Sequence, residues 1–224
     1  GEIFIQETKV EDSSFPIDDI TDAGYYCDFI GQKTYNGVTT ISKNPPKESV
    51  KLINDKEQDQ KRFLLTRYEK DLTVLNLYVV NGHEVGSEKY KYKLSWLKEI
   101  AKHVKKDLVK TKYYAIVGDF NIAPENQDVY DPDAWEEKIL CSKKERLALK
   151  NILKLGFSDT FRLFPQKKDL YSWWDYRTGA FRRNRGLRID LVLTNDALSK
   201  KCISSYIDTN PRKNERPSDH APVI

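Results

Sequence analysis

Leu72-Thr-Val-Leu-Asn-Leu-Tyr-Val-Val80 decides the architecture. Both of its alternating faces are largely apolar, the pattern of a β-strand covered on two sides. Short β-rich runs recur at residues 3–8, 37–42, 63–68, 113–119, 187–194, 203–209 and 221–224. Two helices interrupt them. Tyr90, Leu94, Leu97, Ala101, Val104 and Leu108 step by three or four along one apolar stripe, and Lys98, Lys102, Lys105 and Lys106 fall away from it. Ser142 and Glu145 are spaced as a capping box, Leu149, Ile152 and Leu153 carry the helix on, and Gly156 closes it. Strands outnumber helices, and the helices stand singly between groups of strands. This predicts an α/β sandwich of two packed mixed β-sheets with outer helices, not a Rossmann alternation. No repeat or Pro/Gly/Ser linker divides the chain, so residues 1–224 read as a single domain.

Composition narrows the function. Of 224 residues, 39% are hydrophobic and 32% charged, a balance that suits neither a disordered chain nor a membrane protein, and no apolar run approaches the ~20 residues of a bilayer span. The net charge of +4 allows an anionic partner without requiring one. Cys27, Cys141 and Cys202 lie far apart with no CxxC, which argues against a zinc site and for a reducing, cytoplasmic compartment. The chain opens on Gly1 and contains no methionine, so the native protein is expected to begin earlier.

Four places carry possible chemistry. In Tyr113-Tyr-Ala-Ile-Val-Gly-Asp-Phe-Asn121 an apolar strand runs out into Gly118, Asp119 and Asn121. Period-two alternation would set Asp119 and Asn121 on one side, where two polar groups could share a phosphate or a water; turn residues that satisfy backbone groups have the same composition. In Arg216-Pro-Ser-Asp-His-Ala-Pro222, His220 beside Asp219 can donate a proton or hold charge near neutral pH, or can simply occupy a surface turn. Asp190 interrupts the apolar Leu187-Arg-Ile-Asp-Leu-Val-Leu193 run and needs a fixed partner: Arg188 in a structural pair, or a histidine at a site. Glu7 ends the apolar run at residues 3–8. The sequence has no GxSxG elbow, P-loop, GxGxxG or HExxH, and oxygen ligands with few histidines suit Mg²⁺ or Mn²⁺ over zinc. Between Tyr171 and Arg188, Arg177, Arg182, Arg183, Arg185 and Arg188 interleave with Tyr171, Trp173, Trp174, Tyr176 and Phe181 against the single acid Asp175. Guanidiniums that fork onto phosphates and rings that stack on bases favour nucleic acid there over a solvated basic loop around core aromatics.

Taken in order, these pieces resemble the exonuclease III family of DNA-repair nucleases, which includes abasic-site endonucleases. The resemblance rests on Gln6-Glu-Thr-Lys9, Gly31-Gln-Lys-Thr-Tyr-Asn-Gly37, Tyr78-Val-Val-Asn-Gly82, Gly86-Ser-Glu-Lys-Tyr90 and Gly118-Asp-Phe-Asn121. It continues in Ser172-Trp-Trp-Asp-Tyr-Arg177, Arg185-Gly-Leu-Arg-Ile-Asp190 and Ser218-Asp-His-Ala-Pro222, covers nearly the whole chain, and is nearest the bacterial branch. Related phosphatases share the Gly-Asp-Phe-Asn and Ser-Asp-His pieces but are not expected to share the Gly-Leu-Arg-Ile-Asp or Trp-Trp-Asp-Tyr pieces.

The resemblance implies a four-layer, DNase I-like sandwich whose first strand, ending in a metal-site Asn, would precede Gly1 by a start about 25–30 residues earlier. It also implies a Mg²⁺-dependent nuclease, Mn²⁺ being possible, that cuts 5′ to abasic sites and degrades duplex DNA from 3′ ends. Glu7, Asp119, Asn121 and Asp219 would serve the metal site, Asp119 alternatively taking the proton of the attacking water. Tyr78 would meet the scissile phosphate, Asn121 would orient water or phosphate, and His220, fixed by Asp190, would contact the phosphate. Lys33, Tyr35, Asn81, Arg177, Arg182 and Arg183 would touch DNA, and Trp173, Leu187 and Ile189 would wall an abasic-sugar pocket. A monomer with no membrane association is expected, nucleoid-associated when on DNA. The rivals are a phosphomonoesterase or phospholipid-headgroup hydrolase of the same superfamily, and a silent DNA-binding module.

Overall fold

The computed structural model describes residues 1–51 and 60–224. Among them, β1 (Glu2–Gln6), β2 (Tyr26–Ile30) and β3 (Val38–Ser42) form an antiparallel sheet in the order β1-β3-β2, with the short helix α1 (Ile17–Asp22) between β1 and β2 in the chain. A second sheet runs β4-β5-β6-β7-β9-β8, from β4 (Glu48–Val50), β5 (Phe63–Tyr68), β6 (Leu72–Tyr78), β7 (Tyr113–Asp119), β9 (Asp190–Asn195) and β8 (Phe157–Asp159). Among the described residues only β6 and β7 pair in parallel, joined by the long helix α2 (Glu88–Asp107) in the usual manner of a parallel crossover, so the larger sheet is mixed and the smaller one is not.

The larger sheet is covered on both faces, as the quoted run requires. Leu75 and Leu77 of β6, Tyr114 and Ile116 of β7, and Leu191 and Leu193 of β9 share one core with Trp96, Leu97, Ile100 and Val104 of α2 and with Leu149 and Ile152 of α3 (Lys143–Leu153). The opposite face meets the small sheet, where Phe4 packs against Val74, Ala115 and Val117. Polar groups also cross this interface: Gln6 Nε2 donates to Asn76 Oδ1 at 2.6 Å, and Asn76 Nδ2 donates to the Thr39 carbonyl at 2.9 Å. Asn76 is fully buried, so these bonds pin the register between the sheets as well as satisfying the amide.

Several local expectations change. The α3 capping box forms as read, with Ser142 and Glu145 exchanging bonds. The α2 stripe is broader than the six residues counted, since Tyr92, Lys93, Trp96 and Ile100 are also buried. The run at residues 3–8 is an edge strand with Ile3 and Ile5 exposed, because β1 has one sheet neighbour and its free edge borders an open groove. Residues 203–209 and 221–224 form no ladder beyond a bridge between Ile207 and Val223, as Pro222 has no N–H to extend it. Strands β2, β4 and β8 were not anticipated; they are short and carry Asp28, Glu48 and Asp159, which blur an apolar pattern. No helix among the described residues is long and apolar enough to cross a membrane.

Candidate active site

Three adjacent strands of the larger sheet end in one register row, Tyr78 opposite Asp119 and Asp119 opposite Asp190. Residues in register share a face of a sheet, so a phenol and two carboxylates emerge side by side toward the small sheet. Gly118 makes the row possible. Its φ is +132°, and a Cβ there would lie 2.0 Å from the Leu77 carbonyl oxygen, so only glycine lets β6 and β7 approach immediately before Asp119.

The chain then turns sharply. Asn121 has φ +49°, a left-handed conformation that asparagine tolerates, and it lies outside β7. Asp119 and Asn121 therefore meet through the turn instead of by strand alternation: the Asn121 backbone N–H donates to Asp119 Oδ1 at 2.8 Å and Asn121 Nδ2 donates to Asp119 Oδ2 at 3.1 Å. Asn81 Nδ2 donates in turn to Asn121 Oδ1 at 3.1 Å.

His220 closes the row. Its Nδ1 lies 2.8 Å from Asp190 Oδ2, and its Nε2 lies 4.0 Å from Asp119 Oδ2. The choice of partner for Asp190 is thereby made. Arg188 is buried and reaches away, to Asp128 at 2.7 Å and Asp159 at 2.7 Å. Burial by itself would lower the His220 pKa, but the charge and hydrogen bond of Asp190, with Asp119 and Asp219 beyond, push it up to about 10. Burial and the neighbouring Asp190 push Asp119 up to about 7, against the attraction of His220 and the Asn121 N–H. The pair offers an imidazolium facing a carboxylate poised to accept a proton near neutral pH. Burial, then Glu7 and Asp119, raise the Tyr78 phenol, so it stays a protonated donor; the Arg62 guanidinium lies 4.6 Å from its ring centre.

Asp119, Asp190 and His220 have ligand atoms within 4.8 Å of one another. The two crowded carboxylates, with no thiolate, suit a hard divalent cation, whereas His220 as an imidazolium paired with Asp190 adds no ligand to them. Glu7 and Asp219 are not in that cluster but line the same groove, of about 720 Å³, with Tyr78 and His220. Glu7 pairs with Lys9 at 3.2 Å, and Asp219 accepts from Trp173 Nε1 at 3.0 Å.

The arginine-rich loop is stitched to this groove. Trp174 N–H donates to the Asp219 carbonyl at 3.0 Å and Ala221 N–H to the Ser172 carbonyl at 2.7 Å. Arg177, Arg182, Arg183 and Arg185 are exposed, as is Tyr176, whereas Trp174 is a core ring. Lys33 and Tyr35 stand exposed on a separate loop. Tyr35 and Asn81 line a second cavity of about 490 Å³, which also holds Arg62. Leu187 and Ile189 differ from expectation. They are 0% and 1% exposed, packed with Val129 and Leu140 beneath Trp173, because Leu187 is bridged to both Val129 and Trp173; of the three expected wall residues only Trp173 is partly open.

Other contributors escaped the sequence reading. Ser172 Oγ accepts from the backbone N–H groups of Ile189 and Asp190, both at 3.0 Å, and so sets the start of β9. Arg212 bonds the Ser218 carbonyl and lies 4.8 Å from the Phe181 ring centre, anchoring the histidine segment to the aromatic loop. Nothing local marks Arg62, Ser172 or Arg212. Lys93 could have been found, since it sits within the 90-93-97-100-104 spacing of the buried face of α2.

Residues 3–220 match the family model described as the endonuclease/exonuclease/phosphatase family. The chain belongs to that family. Exodeoxyribonuclease III of Haemophilus influenzae is 34% identical over 233 residues, covering 99% of this chain and 87% of that protein. The exodeoxyribonuclease of Bacillus subtilis is 30% identical, covering 99% of this chain and 85% of its own length. Among solved family members, the 3′-5′ exonuclease of Neisseria meningitidis superposes with a TM-score of 0.96 at 37% identity, covering 99% of this chain and 87% of that one. An AP endonuclease from Archaeoglobus fulgidus superposes at 0.92 with 35% identity, covering 99% and 86%. The two-sheet α/β architecture is thus that of the family's nucleases.

Proposed function

We propose that this protein is a DNA-repair nuclease that hydrolyses duplex DNA phosphodiesters on the 5′ side of abasic sites and from 3′ ends. The observation that carries the reading is the row Tyr78–Asp119–Asp190, closed by His220 in a groove that the arginine and aromatic loop borders. A water attacks phosphorus in line with the departing 3′ oxygen, and its proton passes to Asp119. The new P–O bond forms as the P–O3′ bond breaks. The His220 imidazolium, oriented by Asp190, faces the non-bridging oxygens as their charge grows. Tyr78, kept protonated, donates a hydrogen bond at the phosphate. Asn121, anchored to Asp119 and Asn81, orients the water.

Glu7 and Asp219, which line the groove beside the row, would hold a divalent metal such as Mg²⁺ or Mn²⁺, with Asp119 and Asn121 next to it. When bound, such an ion polarises the phosphoryl group and offsets developing negative charge. The exposed Arg177, Arg182 and Arg183 would grip phosphates, and Lys33, Tyr35 and Asn81 would touch the DNA elsewhere. Trp173 would present the ring that faces an abasic sugar, with Leu187 and Ile189 supporting it from below.

A second reading concerns the same groove. One structural relative, 36% identical with a TM-score of 0.96, is a 3′ phosphatase from Neisseria bound to product DNA hairpin. Removal of a terminal 3′ phosphate needs the same attack on phosphorus and the same departing 3′ oxygen, on a phosphate that carries no 5′ ester, and the open groove admits a strand end.

The test is a labelled duplex with one abasic analogue, assayed with Mg²⁺ and with EDTA, beside a duplex ending in a 3′ phosphate. Incision lost in EDTA and lost by orders of magnitude in Asp119→Asn, with DNA affinity kept within a few-fold, is expected, since a positioned base is worth about 10²–10⁴-fold. Full incision in EDTA would sink the metal assignment, and cleavage of the 3′ phosphate alone would transfer the protein to the second reading.

A further inference from the structure

Lys93 is a buried cation that the chemistry above does not use. It lies on α2, its side chain is 0% exposed, and all three ammonium protons are committed. Nζ donates to Glu145 Oε1 at 2.5 Å, to the Asn81 carbonyl at 3.0 Å and to the Asn121 carbonyl at 2.7 Å. The last two acceptors are the backbones of the two turns that bear on Asp119. Asn121 follows β7, Asn81 follows β6, and their side chains bond to each other and onward to Asp119. Both turns use left-handed conformations, at Asn121 (φ +49°) and at Gly82 (φ +93°), which extended strands do not impose on their successors. Something outside the strands must hold them, and Lys93 is bonded to both.

The far end of the clamp is equally fixed. Glu145 accepts from the backbone N–H of Leu140 and of Ser142, both at 3.1 Å, and from Ser142 Oγ at 2.6 Å. Ser142 is also bonded to the hydroxyl of Tyr90, one turn before Lys93 on α2. The capping box of α3 and the first turn of α2 therefore form one rigid mount for the ammonium group. A buried ion pair by itself is weak grounds for stability and is often replaceable by neutral residues. What a neutral apolar residue cannot supply is a donor that spans two backbone carbonyls at once.

We infer that Lys93 is a positioning residue for phosphodiester hydrolysis, a clamp between the Asn81 and Asn121 turns that holds Asn121 and Asp119 in their reactive arrangement. This rests on the nuclease reading of the site. It predicts that stability and turnover separate. Lys93→Met strands the Glu145 charge, so both should fall. Lys93→Met combined with Glu145→Gln removes the stranded charge and keeps the amide oxygen for Ser142 in the capping box, giving up only the bond from the Leu140 N–H. The double variant should recover most of the melting temperature lost by the single variant while its kcat stays at least about 30-fold below the parent, because misplacement by about 1 Å costs on the order of 10²-fold. Its KM for DNA should remain within a few-fold of the parent.

Recovery of kcat in step with stability would overturn the clamp and leave an ordinary buried pair, and a double variant that fails to fold would also count against it. Amide hydrogen exchange provides a readout free of turnover. Exchange at residues 81–83 and 121–122 should quicken in the double variant while β5 and β6 keep their protection, and unchanged exchange at those turns would refute the proposal. A parent protein that cleaves no DNA would sink the nuclease reading instead, with the exchange comparison still deciding whether Lys93 holds the turns.

Discussion

Gly118→Ala places the heaviest demand on the geometry. The added Cβ would lie 2.0 Å from the Leu77 carbonyl oxygen, 3.0 Å from its carbon and 3.1 Å from its nitrogen. Those atoms are backbone of a central strand, so no side chain can swing aside, and β6 and β7 must separate by about 1 Å to reach ordinary contact. The substitution also puts an L-residue at φ +132°, a region costing on the order of 1–3 kcal/mol. One or two weakened ladder hydrogen bonds add about 1 kcal/mol each. The expected loss is therefore roughly 2–5 kcal/mol, a large part of a typical total of about 5–15 kcal/mol. Gly86→Ala is the control. It sits at φ +90° with nothing within 4 Å of the new Cβ, so it incurs only conformational strain, about 1–2 kcal/mol. Urea denaturation of the two variants, read as a shift in midpoint at constant slope, gives the comparison. In the same protein, the displaced Asp119 should lower kcat on abasic duplex by about 10²-fold even where the variant is folded. A Gly118→Ala midpoint no lower than that of Gly86→Ala, or parent-like turnover, would refute the close-approach argument.

Three further outcomes are expected. Asp190→Asn and His220→Asn should each lower turnover, and the double variant should lose little more than the worse single one, because Asp190 acts through the ring it orients at 2.8 Å; additive losses in the cycle would make Asp190 merely structural. Replacing Arg182 and Arg183 with Ala should weaken duplex binding and flatten its dependence on salt by about one unit of slope per lost contact, and an unchanged slope would return this loop to plain solvated surface. Asp107 tests the acid limb of stability: burial would raise its pKa, but the bonds from Arg67 and Lys110 hold it below the ordinary 3.8. A depressed folded pKa stabilises above the unfolded value and loses that contribution as pH falls, so the melting difference between the parent and Asp107→Asn should be full above pH 3.8 and shrink below it. A difference that persists undiminished at lower pH would contradict this assignment.

Much of the site was legible because its residues break local patterns. Asp119, Asp190 and Glu7 are carboxylates that end or interrupt apolar runs, and His220 sits in a proline-bounded segment. Such residues advertise themselves, since an unpaired charge in a strand is costly and needs a reason. Partners were a different matter. Arg188 and His220 were both open to Asp190 until the structure sent Arg188 to Asp128 and Asp159 and left His220 at the site. Leu187 and Ile189 looked like pocket walls and proved to be core, because exposure at a strand's start depends on what lies over it, here Trp173.

By itself the sequence determined what local physics controls. Apolar runs marked the longer strands, the three-and-four stripe made α2, and the Ser142–Glu145 box began α3. Tertiary structure decided the register that aligns Tyr78, Asp119 and Asp190, the burial that raises Asp119, and the seating of Lys93 between two turns and Glu145. Those depend on strands distant in sequence and on the low-dielectric space they enclose. No window of a few residues contains either the neighbour across the sheet or the water that the neighbour excludes.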